Sequence, residues 1–185
     1  MTNDDQPTPG TSAANAPMSV EEAIRSRRTH KLYEPEPVPR EELEELLEIA
    51  RWAPNHHLTN PWRFRVIGPR ALDRLKQAEP DGAGKLDRAP TLVACSVVQR
   101  GDELQDEEDR YAAACAVYAV MLAAHGRGIA SYWRTPKVLR KARGRKALGI
   151  GGDEHVLGLL HLGRGARDWA PPPRADPADY ASFLD

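Results

Sequence analysis

Apolar and polar positions divide the chain into short blocks of different period. Ser19-Val20-Glu21-Glu22 has the form of a capping box, so a short helix is expected to start there and run out near Arg27. Residues 28–38 contain Pro35 and Pro37 and should be extended. Leu43, Leu46, Leu47 and Ala50 recur at helical spacing and form the stripe of a second, amphipathic helix. Pro39 suits its first turn, and Glu41, Glu42, Glu44 and Glu45 suit its positive end. Trp62 to Ile67 alternates apolar and basic, the period of a strand with one buried face. Gly68-Pro69 closes that strand, a third helix is expected over 70–79, and residues 80–90 are rich in turn formers.

Thr91 to Val98 is a continuous apolar run, as in a strand covered on both faces. The acidic stretch Asp102 to Asp109 reads as a solvated loop. Tyr111 to His125 is Ala-rich and apolar on all sides, so a helix there must be buried, in the core or at a subunit interface. Gly126 and Gly128 end it, Ile129 to Trp133 forms a short strand, Pro136 to Leu148 a basic helix, and His155 to Leu162 the last strand. Helices and strands alternate at uneven spacing without an internal repeat. That pattern favours an α+β layered domain over a regular doubly wound sheet.

Size and charge narrow the classes. A chain of 185 residues fits one domain, expected over 19–185, that buries roughly 70% of its unfolded surface. Residues 1–18, rich in Pro, Thr, Asn and Ala, read as a disordered tail with no apolar leader segment. A net charge of −1 argues against nucleic acid or an anionic membrane as the main partner. No run approaches the roughly 18 apolar residues of a membrane span. Cys95 and Cys115 each lie in an apolar run and are expected to be buried thiols in a reducing, cytoplasmic setting.

Two clusters carry candidate chemistry. In Arg27-Arg28-Thr29-His30-Lys31, an extended backbone would put Arg27, Thr29 and Lys31 on one side. Two cations and a hydroxyl so spaced form a phosphate clamp, because guanidinium binds phosphate bidentately; a solvated basic patch is the plainer alternative. From Pro54 to Trp62, Asn55, His56, His57, Thr59 and Asn60 offer amide, imidazole and hydroxyl groups between two Trp-Pro anchors. Such a loop suits the polar edges of a flat heterocycle, or it is an ordinary helix–strand connection. Trp133-Arg134-Thr135 adds an aromatic face, a fixed charge and a hydroxyl at a strand end, suited to an electron-accepting ring, or it is only an anchored surface aromatic. His56-His57 is a poor metal pair, since adjacent side chains diverge and no partners recur at ligand spacing. No Gly-rich dinucleotide fingerprint or P-loop is present. The run Arg140, Lys141, Arg143, Arg145 and Lys146 reads as a solvated helix face or an attractor for a phosphorylated cosubstrate.

Together these segments resemble the flavin-dependent nitroreductases, in particular their small, minimal members. Arg27 to Tyr33 followed by Pro37-Val38 is similar to the family's N-terminal motif, and Ala53-Pro54 to Asn60-Pro61-Trp62 to its Ala-Pro…Gln-Pro-Trp segment. Tyr111 to Trp133 resembles the central dimer helix and following strand, and Val156 to Gly163 the last strand.

The resemblance implies a central mixed or antiparallel sheet flanked by helices, in a homodimer with FMN at the subunit interface. Arg27, Arg28, Thr29 and Lys31 would hold the FMN phosphate and ribityl chain. His56 would reach flavin across the dimer, Asn60 stands where the family has Gln, and Trp133, Arg134 and Thr135 would line the flavin from the other side. Trp52 stands at an often basic position, and Arg174 is a candidate late phosphate contact. The implied chemistry passes hydride from NADH or NADPH through flavin to a small electron acceptor such as a nitroaromatic or quinone. It needs no side-chain nucleophile, acid or metal. Specialised flavin chemistry on the same fold, reductive dehalogenation or oxygen-dependent, and a non-catalytic interaction module are the competing expectations.

Overall fold

A computed structural model describes residues 18–167, 170 and 172–184. Of the tail expected over residues 1–18, all but Met18 lies outside them. Three layers are formed, with helices on both faces of one sheet. Ser19 caps α1 (Val20–Ser26) by accepting the Glu22 N–H, and Pro39 stands at the N-cap of α2 (Arg40–Ile49). β1 (Trp62–Val66), α3 (Pro69–Ala78), β2 (Thr91–Val98), α4 (Glu103–Gly126), β3 (Ile129–Arg134), α5 (Lys137–Arg140), α6 (Ala142–Ala147) and β4 (Glu154–Arg164) follow.

The strand order is β1-β2-β4-β3, and every ladder is antiparallel. The only parallel pairing in the described residues is an isolated bridge from Thr29 to Ser131, on the outer edge of β3. Here the extended segment after α1 partly covers an edge whose backbone groups would otherwise be unpaired. His30 N–H donates to Ser131 O at 3.1 Å, and Glu34 N–H to Arg164 O at 3.0 Å.

Alternation along β2 sends Val93 and Cys95 to one face and Leu92 and Ala94 to the other, and both sets are buried. On the first face α2 and α4 pack through Leu46, Ala50, Ala116, Val117, Val120 and Ala124. The alanines of α4 combine high helix propensity with small volume, so the 24-residue helix lies close against sheet and neighbour. On the second face Leu75 of α3 and Val138 and Leu139 of α5 pack on Leu92, Ala94 and Leu159. Truncating a side chain such as Leu46 or Leu160, fully buried here, costs about 2–5 kcal/mol.

Four expectations need correction. Asp102 to Asp109 is not a loop but the start of α4. Asp102 caps it, and carboxylates suit a helix N-terminus. Asp106 accepts the backbone N–H groups of Arg100 and Gly101, and Asp109 is fully buried. Cys115 is exposed, unlike Cys95. The helix expected over 136–148 is two short helices, because Lys141 is extended (φ −94°, ψ 142°). Gly144 allows the fold-back, since a Cβ there would sit 2.0 Å from Val138 O. The basic positions of β1 are not all solvated, because Arg65 reaches across the sheet to Glu154.

Candidate functional site

At the β3 edge a cavity of about 420 Å³ is lined by Arg27, Arg28, Thr29, Lys31, Ala170, Pro172 and Arg174. It therefore gathers the whole proposed clamp, with Arg174 brought in from the C-terminal segment. Arg27 caps the C-terminus of α1, with its N–H on Ala23 O. Its Nε and Nη1 are buried and meet no acceptor among the described residues, and the same holds for Arg28 Nε. Arg28 is held by its Nη1, which donates to Arg25 O and Arg27 O at 2.6 and 2.7 Å. Buried guanidinium donors without partners are costly, and an anion in the cavity would satisfy them.

Positive charge is concentrated there. His125, at the end of α4, shares a hydrogen bond of 2.7 Å with Ser26 Oγ. Burial, then the charges of Arg27, His30 and Arg28, push its imidazole below the usual histidine range. Nearby, the Tyr33 hydroxyl donates to His30 O at 2.7 Å, and burial pushes that phenol up.

Trp133 and Arg134 continue along β3 from the bridged Ser131. A bulge in β4, where Cys95 pairs with Gly158 and Ser96 with Val156, leaves Leu157 unpaired. Trp133 Nε1 donates to Leu157 O at 3.1 Å, and Gly158 (φ +150°) makes room for the indole, which a Cβ would approach to 2.5 Å. Arg134 and Thr135 line a separate cavity of about 350 Å³ with Lys85, Lys137, Glu79 and Asp81. They do not share the clamp's cavity. On the neighbouring strand, opposite Tyr132, lies His161, fully buried, with neither ring nitrogen bonded to a described residue. Burial, with Arg134 and Arg88 adding, lowers its pKa to about 4, so it is neutral at pH 7.

His56 and Asn60 lie elsewhere, in the loop before β1. Two strands, β2 and β4, separate β1 from β3, so the edges are three strand spacings or roughly 14 Å apart. His57, Leu58 and Asn60 all have positive φ (56°, 49° and 47°) though none is glycine, each costing on the order of 1 kcal/mol. Side chains hold the loop. Asn60 N–H donates to Asn55 Oδ1 at 2.7 Å, Asn55 Nδ2 to Thr59 Oγ1 at 2.9 Å, and Thr59 Oγ1 to Asp109 Oδ1 at 2.5 Å. His56 Nδ1 lies 2.7 Å from Glu108 Oε2, and the Asn60 amide turns inward to Leu58 O. Leu58 and Trp52 are each 76% exposed. A strained loop held this firmly presents its outer groups in a fixed shape.

The anchoring carboxylates Asp106, Glu108 and Asp109 have a role that the acidic composition of the run conceals. The Asp102-x-x-Gln105 spacing was the available signal, because it marks a helix start. Ser131, which bridges the clamp to β3, carries no sequence signature.

Comparison with known proteins bears on the family and the fold. The model of the family described as "Nitroreductase family" matches residues 24–164. Two proteins both called "Putative NAD(P)H nitroreductase", YfhC of Bacillus subtilis and YdjA of Escherichia coli K12, are 27% and 29% identical to the chain. Each alignment covers 78% of this chain, and 83% and 87% of the relative. The crystal structure of a nitroreductase-like family protein from Bacillus cereus superposes with a TM-score of 0.84 at 21% identity, covering 93% of this chain and 99% of that one. The FMN- and NADPH-dependent nitroreductase NfnB of Sphigopyxis sp. strain HMH gives 0.77 at 17% identity, covering 91% and 100%. The chain belongs to the nitroreductase family.

Proposed function

We propose that the chain is an FMN-dependent oxidoreductase that, as a homodimer, takes hydride from NADH or NADPH and delivers it to a small electron-poor acceptor such as a nitroaromatic or quinone. The observation that carries this reading is Arg27, whose Nε and Nη1 are buried without an acceptor among the described residues, in a cavity completed by Arg28, Thr29, Lys31 and Arg174. These groups fit a phosphate: one planar fork, further positive charges and a hydroxyl. The names of the relatives, which mention NAD(P)H, and of NfnB, which adds FMN, support the same reading.

When bound, FMN supplies the hydride chemistry, and the chain supplies position and charge. Arg27 would donate to phosphate oxygens, and Lys31 and Arg174, which line the same cavity, would add positive charge. Trp133, pinned through Leu157 O, gives a rigid apolar wall farther along β3. Arg134 places a permanent positive charge at the strand's end, where it would stabilise negative charge on a flavin ring lying along β3. His161 stays neutral and adds no charge of its own.

Two copies complete the site. The loop carrying His56 and Asn60 lies at the opposite sheet edge from the clamp, so within one copy it stays remote. Leu104, Tyr111, Cys115 and Tyr118 form an exposed stripe on α4 at intervals of seven, four and three residues, with Leu104 68% and Tyr111 62% exposed. An apolar stripe at that spacing suits helix-to-helix contact across a twofold axis, which would carry each loop toward the other copy's clamp.

The test is the visible spectrum of the purified protein, with the chromophore released by denaturation and identified, alongside light scattering and NAD(P)H oxidation with a quinone acceptor. The expected result is a yellow dimer with one FMN per chain that oxidises reduced pyridine nucleotide. A colourless monomer that FMN does not restore would refute the reading.

A further inference from the structure

The break at Lys141 decides where the basic segment sends its charges. Lys137 lines the cavity of about 350 Å³ beside Arg134 and Lys85. Arg140 and Arg145 line a second cavity of about 360 Å³, together with His155, Glu154, Leu139 and Val156. The two cavities share Thr135 and Pro136, the residues that leave β3.

Acidic groups on these walls are largely neutralised. Glu79 is paired with Lys141, whose hydrogen bond, helped by the charges of Lys141, Arg143 and Lys137, outweighs burial and holds its carboxyl below the usual range. Glu154 is gripped by both terminal nitrogens of Arg65 and by Ser96 Oγ. Only Asp81 keeps its charge unopposed by a described ion-pair partner. By contrast, no described carboxylate lies within ion-pair distance of Lys85, Lys137, Arg134 or Arg145. Arg140 reaches only the Thr135 hydroxyl, at 3.3 Å. The result is a strongly positive pair of hollows at the end of the strand that carries Trp133, with Leu139, Val156 and Pro136 as apolar wall.

We infer that these paired cavities bind the phosphorylated half of NADPH, with Arg145 and Arg140 on the 2′-phosphate and Lys85 and Lys137 on the diphosphate. This rests on the reading of the chain as a flavin oxidoreductase that draws on a pyridine nucleotide. The 2′-phosphate is the one group that separates NADPH from NADH, so the cations it meets set the choice between them. Guanidinium is the suited partner, because its fork matches phosphate oxygens.

Two measurements test it. Calorimetric titration of the purified protein with 2′-phospho-ADP-ribose and with ADP-ribose, which share the diphosphate and differ only in the 2′-phosphate, needs no flavin turnover. The first ligand should bind roughly tenfold tighter, and Arg145→Ala should remove that difference while Arg145→Lys keeps part of it. In the flavin-loaded protein, the ratio of kcat/KM for NADPH over NADH should fall by about tenfold in Arg145→Ala, mainly through KM, with flavin content unchanged. Equal binding of the two nucleotides, or a binding difference untouched by Arg145→Ala and Lys137→Ala, would overturn the assignment. Loss of the flavin reading alone would show as a colourless protein that still distinguishes the two nucleotides.

Discussion

At the β1 edge of the sheet, Arg65 meets Glu154 at 2.6 and 2.8 Å through both terminal nitrogens, whereas at the β3 edge Arg27 keeps Nε and Nη1 buried without a described acceptor. Both guanidinium groups lie beside strands of the same sheet. One is satisfied by a carboxylate, a serine hydroxyl on that carboxylate and the carbonyl of Gly149; the other is held in place without being satisfied. At the β1 edge Arg65 is therefore satisfied by folding, and the loop is fixed by Glu108 and Asp109, although Asp109 keeps Oδ2 buried without a described partner. The β3 edge is left electrostatically incomplete. On the proposed function, stability is concentrated at the first and binding at the second, as expected where a functional site is kept at a cost to the fold.

The largest effect expected from this contrast is at the clamp. Replacing Arg27 and Arg28 together by Ala should weaken FMN binding by about a thousandfold, the scale of losing two charge-assisted phosphate contacts. Fluorescence titration of flavin into the apo protein measures it. Flavin held at full strength by the double variant would remove the distinction between the edges.

Next comes Glu154. Burial pushes its carboxyl up, but the hydrogen bonds from Arg65, Ser96 and the Gly151 N–H outweigh that and hold it at about 2. A carboxylate depressed in the fold contributes stability that is fully present above its ordinary pKa near 4.5 and is lost as pH falls toward 2. Glu154→Gln should therefore cost about 2 to 3 kcal/mol near pH 7 and flatten the acid limb of the stability profile between those values. Denaturant unfolding across pH 2–7 would show it. A parallel acid limb in the variant would mean that this edge is not held by the pair.

Thr59→Val acts at the same edge with a smaller effect, about 1 to 2 kcal/mol, because it removes one hydrogen bond to the buried Asp109 carboxylate. Hydrogen exchange at the backbone N–H groups of residues 55–60 should rise with it. Since Asn60 N–H rests on Asn55, which in turn holds Thr59, the left-handed residues lose their support in sequence. Unchanged protection would place the loop's rigidity elsewhere.

Much of this division was legible in the amino-acid order, and the part that was not has definite causes. Ser19, Pro39 and the continuous apolar run of β2 act locally, so caps and periodicity located them. Arg27 to Lys31 also showed itself, because cations around a hydroxyl are conspicuous wherever they fall. The contribution of Asp106 and Asp109 was hidden, since an acidic composition says solvent while a helix N-terminus and a strained loop make the same carboxylates useful inside. The split of the basic segment was hidden too. It depends on Gly144 passing against Val138 O, a tertiary contact no helical pattern encodes. Likewise, no glycine marks the left-handed positions His57, Leu58 and Asn60. The strand order, which sets the clamp and the loop at opposite edges, arises only from pairing across the sheet.

The smallest effect is also the one whose sign separates the two edges. Arg27→Met keeps a long stem to pack beside α1 but removes the buried donors. If the guanidinium is there for a ligand, the flavin-free protein should gain about 1 kcal/mol, because an unsatisfied polar group leaves the interior. With FMN added the order should reverse, since only the wild-type chain gains the linkage stabilisation of a tightly bound anion. The corresponding Arg65→Met at the β1 edge should lower stability with or without FMN, because it strands the Glu154 carboxylate. Thermal unfolding of the two variants with and without FMN gives four shifts whose signs are fixed in advance. A loss in flavin-free Arg27→Met would make that arginine a structural group like Arg65.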